Sequence, residues 1–125
     1  MPPRVHPTAI VEPGAVLADN ATLGSYTHIC EHAVVGTEAV IDGMLILPSH
    51  VIVESGVRIG VGVRFVAPES PEAATRVHAG AQIGAGAIIH AGVTIGTQAV
   101  VAPGSIVQRA IPSMAIVEGA PTRIV

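Results

Sequence analysis

The chain has 125 residues, half of them apolar but only one Tyr and one Phe, and a formal net charge of −3 in which every basic residue is an arginine. One domain is expected at this length; no apolar run approaches the roughly 20 residues of a membrane-spanning helix, the opening Met1 to Pro7 has no signal-peptide core, and Cys30 has no second cysteine to pair with. Cytoplasmic residence is the expectation, and without a basic run or an aromatic surface neither nucleic acid nor a membrane is an expected partner.

From Val5 onward a bulky apolar residue recurs at every sixth position: Val5, Val11, Leu17, Leu23, Ile29, Val35, Ile41, Leu47, Val53, Ile59 and Phe65. The residue two before each is small or apolar, as at Ala9, Ala15, Ala21, Leu45 and Val51. That alternation predicts a short strand whose outer two residues point inward and whose middle residue points out. The remaining three residues turn a corner. Gly24, Gly36, Gly60, Gly84 and Gly96 directly follow bulky residues, where a sharp bend with positive φ is expected. A repeat this short buries its apolar residue only by stacking on its neighbours, which defines a solenoid. With three units to a coil, residues 18 apart overlie in parallel strands about 4.8 Å apart. The chain then forms an all-β triangular prism of about six coils, a single domain over residues 1–125.

Residues 66–76 interrupt the pattern, and it resumes in the same frame at Val77, Ile83, Ile89, Ile95, Val101 and Val107. Counted by eighteens straight through the interruption, one outward column reads Val16, Val34, Ile52, Ile88 and Ile106. A second reads Thr22, Val40, Arg58, Arg76, Thr94 and Pro112, and a third Ile10, His28, Ile46, Arg64, Gln82 and Val100. An outward wall of branched aliphatics alone is a patch that soluble monomers rarely expose, so the first column is expected to be a subunit interface.

Ile83-Gly84-Ala85-Gly86-Ala87-Ile88, Gly92-Val93-Thr94-Ile95-Gly96 and the closing Val117-Glu118-Gly119-Ala120-Pro121-Thr122-Arg123 resemble the hexapeptide-repeat acyltransferases. His6-Pro7-Thr8-Ala9-Ile10-Val11 and Tyr26-Thr27-His28-Ile29-Cys30 resemble the opening coils of the N-acetyltransferases acting on nucleotide-linked amino sugars. The resemblance implies a left-handed parallel β-helix, a hand that runs against the general preference for right-handed crossovers. It also implies a homotrimer, here through the face of Val16, Val34, Ile52, Ile88 and Ile106, and acetyl-coenzyme A as acyl donor. The pantetheine arm would meet the main chain at Ala85, Gly86, Pro103 and Gly104, with Arg109 and Arg123 at the phosphates. Glu54, Arg58, Arg64 and Arg76, gathered around the interruption, are the candidates for holding an anionic acceptor such as a nucleotide diphosphate.

The catalytic candidates are His50, His90 and His32. An amine nucleophile must shed a proton, and an imidazole titrates near neutrality. His32 and His50 are 18 apart and should overlie at the corner where the apolar wall begins. Glu54 and His90, with Glu72 nominally between them, fall in a column at the opposite edge of that wall. In a trimer the two edges approach, giving a composite site of His50 from one chain and His90 from the next. The chain departs from the amino-sugar enzymes at Leu47-Pro48-Ser49-His50-Val51, where Ser49 and His50 stand in place of a pair of asparagines, and its interruption is short for a lid.

Two other readings stay open. A γ-type carbonic anhydrase shares such a prism, but Gly84-Ala85-Gly86-Ala87-Ile88-Ile89-His90 has Ala85 where its first histidine ligand belongs. A three-ligand zinc site would then need His32, His50 and His90; the acyltransferase reading expects no metal. A non-catalytic scaffold or binding module is the third reading.

Overall fold

Inward residues dictate the architecture. The computed structural model describes all 125 residues as nineteen short strands and one 3-10 turn at Pro71–Ala73, wound into a parallel β-helix of three faces. The first face stacks Arg4–Val5, Thr22–Leu23, Val40–Ile41, Arg58–Ile59, Gln82–Ile83, Val100–Val101 and Ile116–Glu118, closed by an antiparallel Arg123–Ile124. The second carries Ile10–Val11, Thr27–Ile29, Leu45–Leu47, Arg64–Phe65, Ile88–Ile89 and Ile106–Val107. The third carries Val16–Leu17, Val34–Val35, Val51–Val53, Thr75–Val77 and Thr94–Ile95. The bulky residues of the repeat and their small partners meet in one core cluster of 27 buried residues. Thr27 is the polar exception in its layer, fully buried with its hydroxyl donating to Gly24 O at 2.9 Å. No helix is long and apolar enough to cross a membrane.

Before the interruption the register is 18, as expected: Val16 lies against Val34 and Val34 against Ile52. Across it the register is 24, with Ile52 against Arg76, Arg58 against Gln82 and Arg64 against Ile88. The step of twelve from Phe65 to Val77 takes the place of a step of six. The surplus six, together with the three residues of an ordinary corner, loop out as residues 66–74, and Thr75 and Arg76 already belong to the next strand.

This corrects the predicted columns. Val16, Val34 and Ile52 continue into Arg76 and Thr94 on the third face, whereas Ile88 and Ile106 belong to the second face with Ile10, His28, Ile46 and Arg64. No single wall unites Val16, Val34, Ile52, Ile88 and Ile106. Arg58 and Arg76 share no column either, being on the first and third faces.

The second face has a breach. Leu45–Leu47 and Arg64–Phe65 are neighbours, yet no ladder joins them, and the face divides into two three-stranded sheets. Elsewhere on this edge the first corner residue donates across the coils, as Cys30 does to Leu47 O and Val66 to Ile89 O; Pro48 has no N–H to give. Leu45 and Leu47 also face Val63 and Phe65, two bulky layers in succession where other layers pair a large residue with Thr27 or Ala87. Beside this break lies an apolar cleft of about 560 Å³ lined by Met44, Ile46, Pro48, Arg64, Phe65 and Val66.

The corner glycines work differently from expectation. Gly24, Gly36, Gly60, Gly84 and Gly96 have no positive φ; they stand where successive coils touch. A Cβ on Gly84 would collide with the main chain of Pro103. The left-handed conformation falls two residues later, at Gly86 with φ +71 and at His32 and His50 with φ +65 and +67.

Gly84→Ala is therefore expected to lower stability by about 3 kcal/mol, the upper range for overpacking. Gly86→Ala, which meets nothing within 4 Å, should cost only about 1 kcal/mol of backbone strain. Urea unfolding midpoints of the two variants give the comparison.

Candidate active site

The corner between the second and third faces collects the polar residues. From coil to coil it reads Glu12-Pro13-Gly14, Cys30-Glu31-His32, Pro48-Ser49-His50, the loop 66–74, His90-Ala91-Gly92 and Gln108-Arg109-Ala110. His32 and His50 overlie as the 18-residue count predicts: their rings are parallel within 4° and their centroids 5.7 Å apart. The main chain fixes both, His32 N donating to Gly14 O and His50 N to His32 O, each at 3.2 Å. His50 is half-buried and His32 exposed. Their positive φ is not a mark of catalysis, since Asn20, Tyr26, Glu38, Met44, Gln98 and Met114 share it.

The loop leaves the prism directly beyond His50. Thr75 N returns to His50 O at 3.1 Å, and the fully buried Thr75 hydroxyl accepts the Gly92 N–H at 2.9 Å. Thr75 thus ties the coil of His50 to the coil of His90. Within the loop, Pro71–Ala73 makes the 3-10 turn and Glu72 is exposed.

His90 departs from its expected place. It lies on the same corner as His50, beyond the loop, and donates its N–H to Val107 O at 3.0 Å. Glu54 lies on the corner between the third and first faces, away from His90: its Oε1 accepts His78 Nδ1–H at 3.0 Å and Ala79 N–H at 3.2 Å. The cause is the register of 24, which moves every residue after the loop by one face. The premise that His50 and His90 mark opposite edges of one wall is thereby removed, because one chain brings both to one edge.

The arginines do not converge. Arg58, Arg64 and Arg76 stand exposed on three different faces, Arg58 with Asp42 Oδ1 at 3.4 Å. Ala85, Gly86, Pro103 and Gly104 do come together on the corner between the first and second faces, Gly104 N donating to Ala85 O at 2.9 Å. Ala85 and Pro103 line a first-face cleft of about 360 Å³ together with Arg58, Asp42 and Gln82. Arg109 is on the histidine corner and Arg123 in the closing strand opposite Glu118. Nor do His32 and His50 suit a shared zinc ion. Parallel stacked rings direct their in-plane lone pairs alongside each other, whereas ligands of one metal converge on it.

Sequence reasoning passed over a second group on this corner. Glu12 Oε2 accepts His28 Nε2–H at 2.6 Å and Oε1 accepts Glu31 N–H at 3.0 Å, with Cys30 beside them. The Glu31 N–H, and next to it His28, hold the Glu12 carboxyl below its usual range. Burial, reinforced by the Glu12 charge and opposed by the Ser49 N–H, raises the Cys30 thiol. The register of 18 between Glu12 and Cys30 was a signal available in the sequence.

Residues 74–109 match the family model described as bacterial transferase hexapeptide (six repeats). That segment carries the repeat, and the solenoid has the fold of a left-handed parallel β-helix. No curated protein sequence matches the chain. Among solved structures it is similar to a mutant GDP-perosamine N-acetyltransferase from Caulobacter crescentus in complex with CoA and GDP-perosamine, with 24% identity and TM-score 0.91 over 98% of this chain and 56% of that one. It is similar also to the acetyltransferase domain of PglB from Neisseria gonorrhoeae in complex with acetyl coenzyme A, with 20% identity and TM-score 0.91 over 99% and 58%. A hexapeptide-repeat acetyltransferase from Vibrio cholerae, VCA0836, follows at 21% identity and TM-score 0.79 over 88% and 72%. The chain spans a little over half the length of the first two.

Thr75→Val keeps the shape of the buried side chain while leaving the Gly92 N–H without its acceptor. A loss of about 1–3 kcal/mol is expected, with faster hydrogen exchange at the Gly92 amide; an unchanged unfolding midpoint would show that the tie contributes nothing.

Proposed function

We propose that the chain is an acyltransferase that moves an acetyl group from acetyl-coenzyme A to the amine of a nucleotide-linked amino sugar, acting as a cytoplasmic homotrimer. The observation that carries this reading is His50: half-buried, held by main-chain bonds to the coils on both sides, and placed where the only loop leaves the prism. The likeness to acetyltransferase structures with CoA or acetyl coenzyme A supports the donor.

The second face is the surface bordered by both relevant corners. A donor meeting the main chain at Ala85, Gly86, Pro103 and Gly104 reaches the histidine corner across it, past the cleft of Met44, Ile46 and Val66. The amine nitrogen attacks the thioester carbonyl, the N–C bond forming and the C–S bond breaking. The amine's proton passes to the His50 imidazole and from there to the departing thiolate. His90, on the same corner, is the second candidate for that transfer, and His32 positions His50 through the ring stack. Arg58, beside Ala85 and Pro103, is the arginine best placed for a phosphate.

Assembly follows from two apolar faces instead of one. Val16, Val34 and Ile52 face outward on the third face and Ile10, Ile46, Ile88 and Ile106 on the second. A cyclic trimer joins unlike faces, and such a ring covers both sets.

Thioester consumption by the purified chain, offered amino-sugar nucleotides and simple amines in parallel, tests the reading. Turnover is expected with an amino-sugar nucleotide, and His50→Ala should lower it at least about a hundredfold without changing the mass seen by light scattering. An unaffected rate removes His50 from the mechanism; silence with every acceptor supports the scaffold reading.

A further inference from the structure

Val5 and Val11, inward residues of the first coil, are 42% and 36% exposed, and two-residue strands hold that coil to the second. At this junction Glu12, His28 and Cys30 each bring a ligating atom to within 4.8 Å of the other two.

The ladder sets the cluster. Ile10 pairs with His28 and Val11 with Ile29, so Glu12 and Cys30 follow one above the other as the first residues of the corner. His28 points outward from the strand, two residues before Cys30. Glu12 is oriented from behind, the Glu31 N–H holding Oε1 and leaving Oε2 toward His28. Outer partners of this kind accompany ligands of metal sites.

We infer that Glu12, His28 and Cys30 form a three-ligand site for a zinc-class divalent cation that clamps the first coil to the second. A carboxylate oxygen, an imidazole nitrogen and a thiolate are the ligand types zinc takes, at roughly 2.0–2.3 Å each. Tetrahedral placement separates ligating N and O by about 3.3 Å, so the present Glu12–His28 contact of 2.6 Å opens by less than an ångström to admit the ion. The cation replaces the thiol proton, which leaves to solvent, and His28 passes from its Nε2–H to its Nδ1–H tautomer, which frees Nε2 to ligate. One carboxylate and one thiolate then neutralise its charge, with neutral His28 as third ligand. All three donors are half-buried, which leaves the fourth position open to water. The ion crosslinks Glu12 of the first coil to two residues of the second. This site is separate from acyl transfer and does not rest on it.

Cobalt(II) titration of the full chain under reducing conditions tests the site, because thiolate ligation produces a charge-transfer band and tetrahedral cobalt intense visible bands. One cobalt per chain is expected, displaced by zinc. The thiolate band should vanish in Cys30→Ser, and affinity should fall at least about tenfold in Glu12→Gln and His28→Gln, while His32→Asn with His50→Asn leaves the band in place. Zinc should also slow hydrogen exchange across residues 4–17 in the natural chain and not in Cys30→Ser. No thiolate band, or a band that survives Glu12→Gln and His28→Gln, or one lost with the His32 and His50 changes, overturns the proposal.

Discussion

Each coil relies on the coil above it for two things at once: burial of its inward aliphatics and partners for its main-chain amides. A strand of two or three residues secures neither alone, and a side chain such as Ile59 or Ile89 contributes its roughly 1.5–3 kcal/mol only when both neighbouring layers are in place. Registry between coils is therefore the constraint from which the rest follows. It decides which outward residues share a face, which corner carries the histidines, and where coils press so closely that only glycine fits.

The loop 66–74 shows how strict the constraint is. The chain inserts one whole repeat at a corner, so inward residues stay inward while every later strand moves on by one face. Because the surplus leaves the prism as a loop, Val77, Ile83 and Ile89 return to the core. Thr75, buried and bonded to Gly92 N–H, closes the gap beneath the loop. On the neighbouring face the same coils part at Pro48, and the apolar cleft lies beside the corner that carries His50. The loop, the breach and the histidine stack are thus three aspects of one stretch of prism.

Much of this was legible in the sequence. The six-residue period fixes the strands, the inward set and the stacking of His32 on His50, because no insertion breaks the repeat before Phe65 and 18 remains the right count up to there. Beyond the loop the period misleads, since twelve residues preserve a frame of six without revealing that six of them have left the prism. The apolar column of Val16 to Ile106 and the pairing of Glu54 with His90 failed for that one reason. The corner glycines failed for another: the letter Gly does not distinguish a residue needed for its φ from one needed for lack of a Cβ, and Gly84 is of the second kind. The cluster of Glu12, His28 and Cys30 was within reach of the same count and passed over because its members are different residue types.

Disulfide trapping measures the registry directly. In a Cys30→Ser background, Arg58→Cys paired with Gln82→Cys places two outward residues on laddered neighbours of the first face, at a separation a disulfide spans. Arg58→Cys paired with Arg76→Cys places them on different faces. Rapid intramolecular crosslinking of the first pair and none of the second is the predicted result; crosslinking of the second pair alone would contradict the register of 24 and the placement of every site beyond the loop.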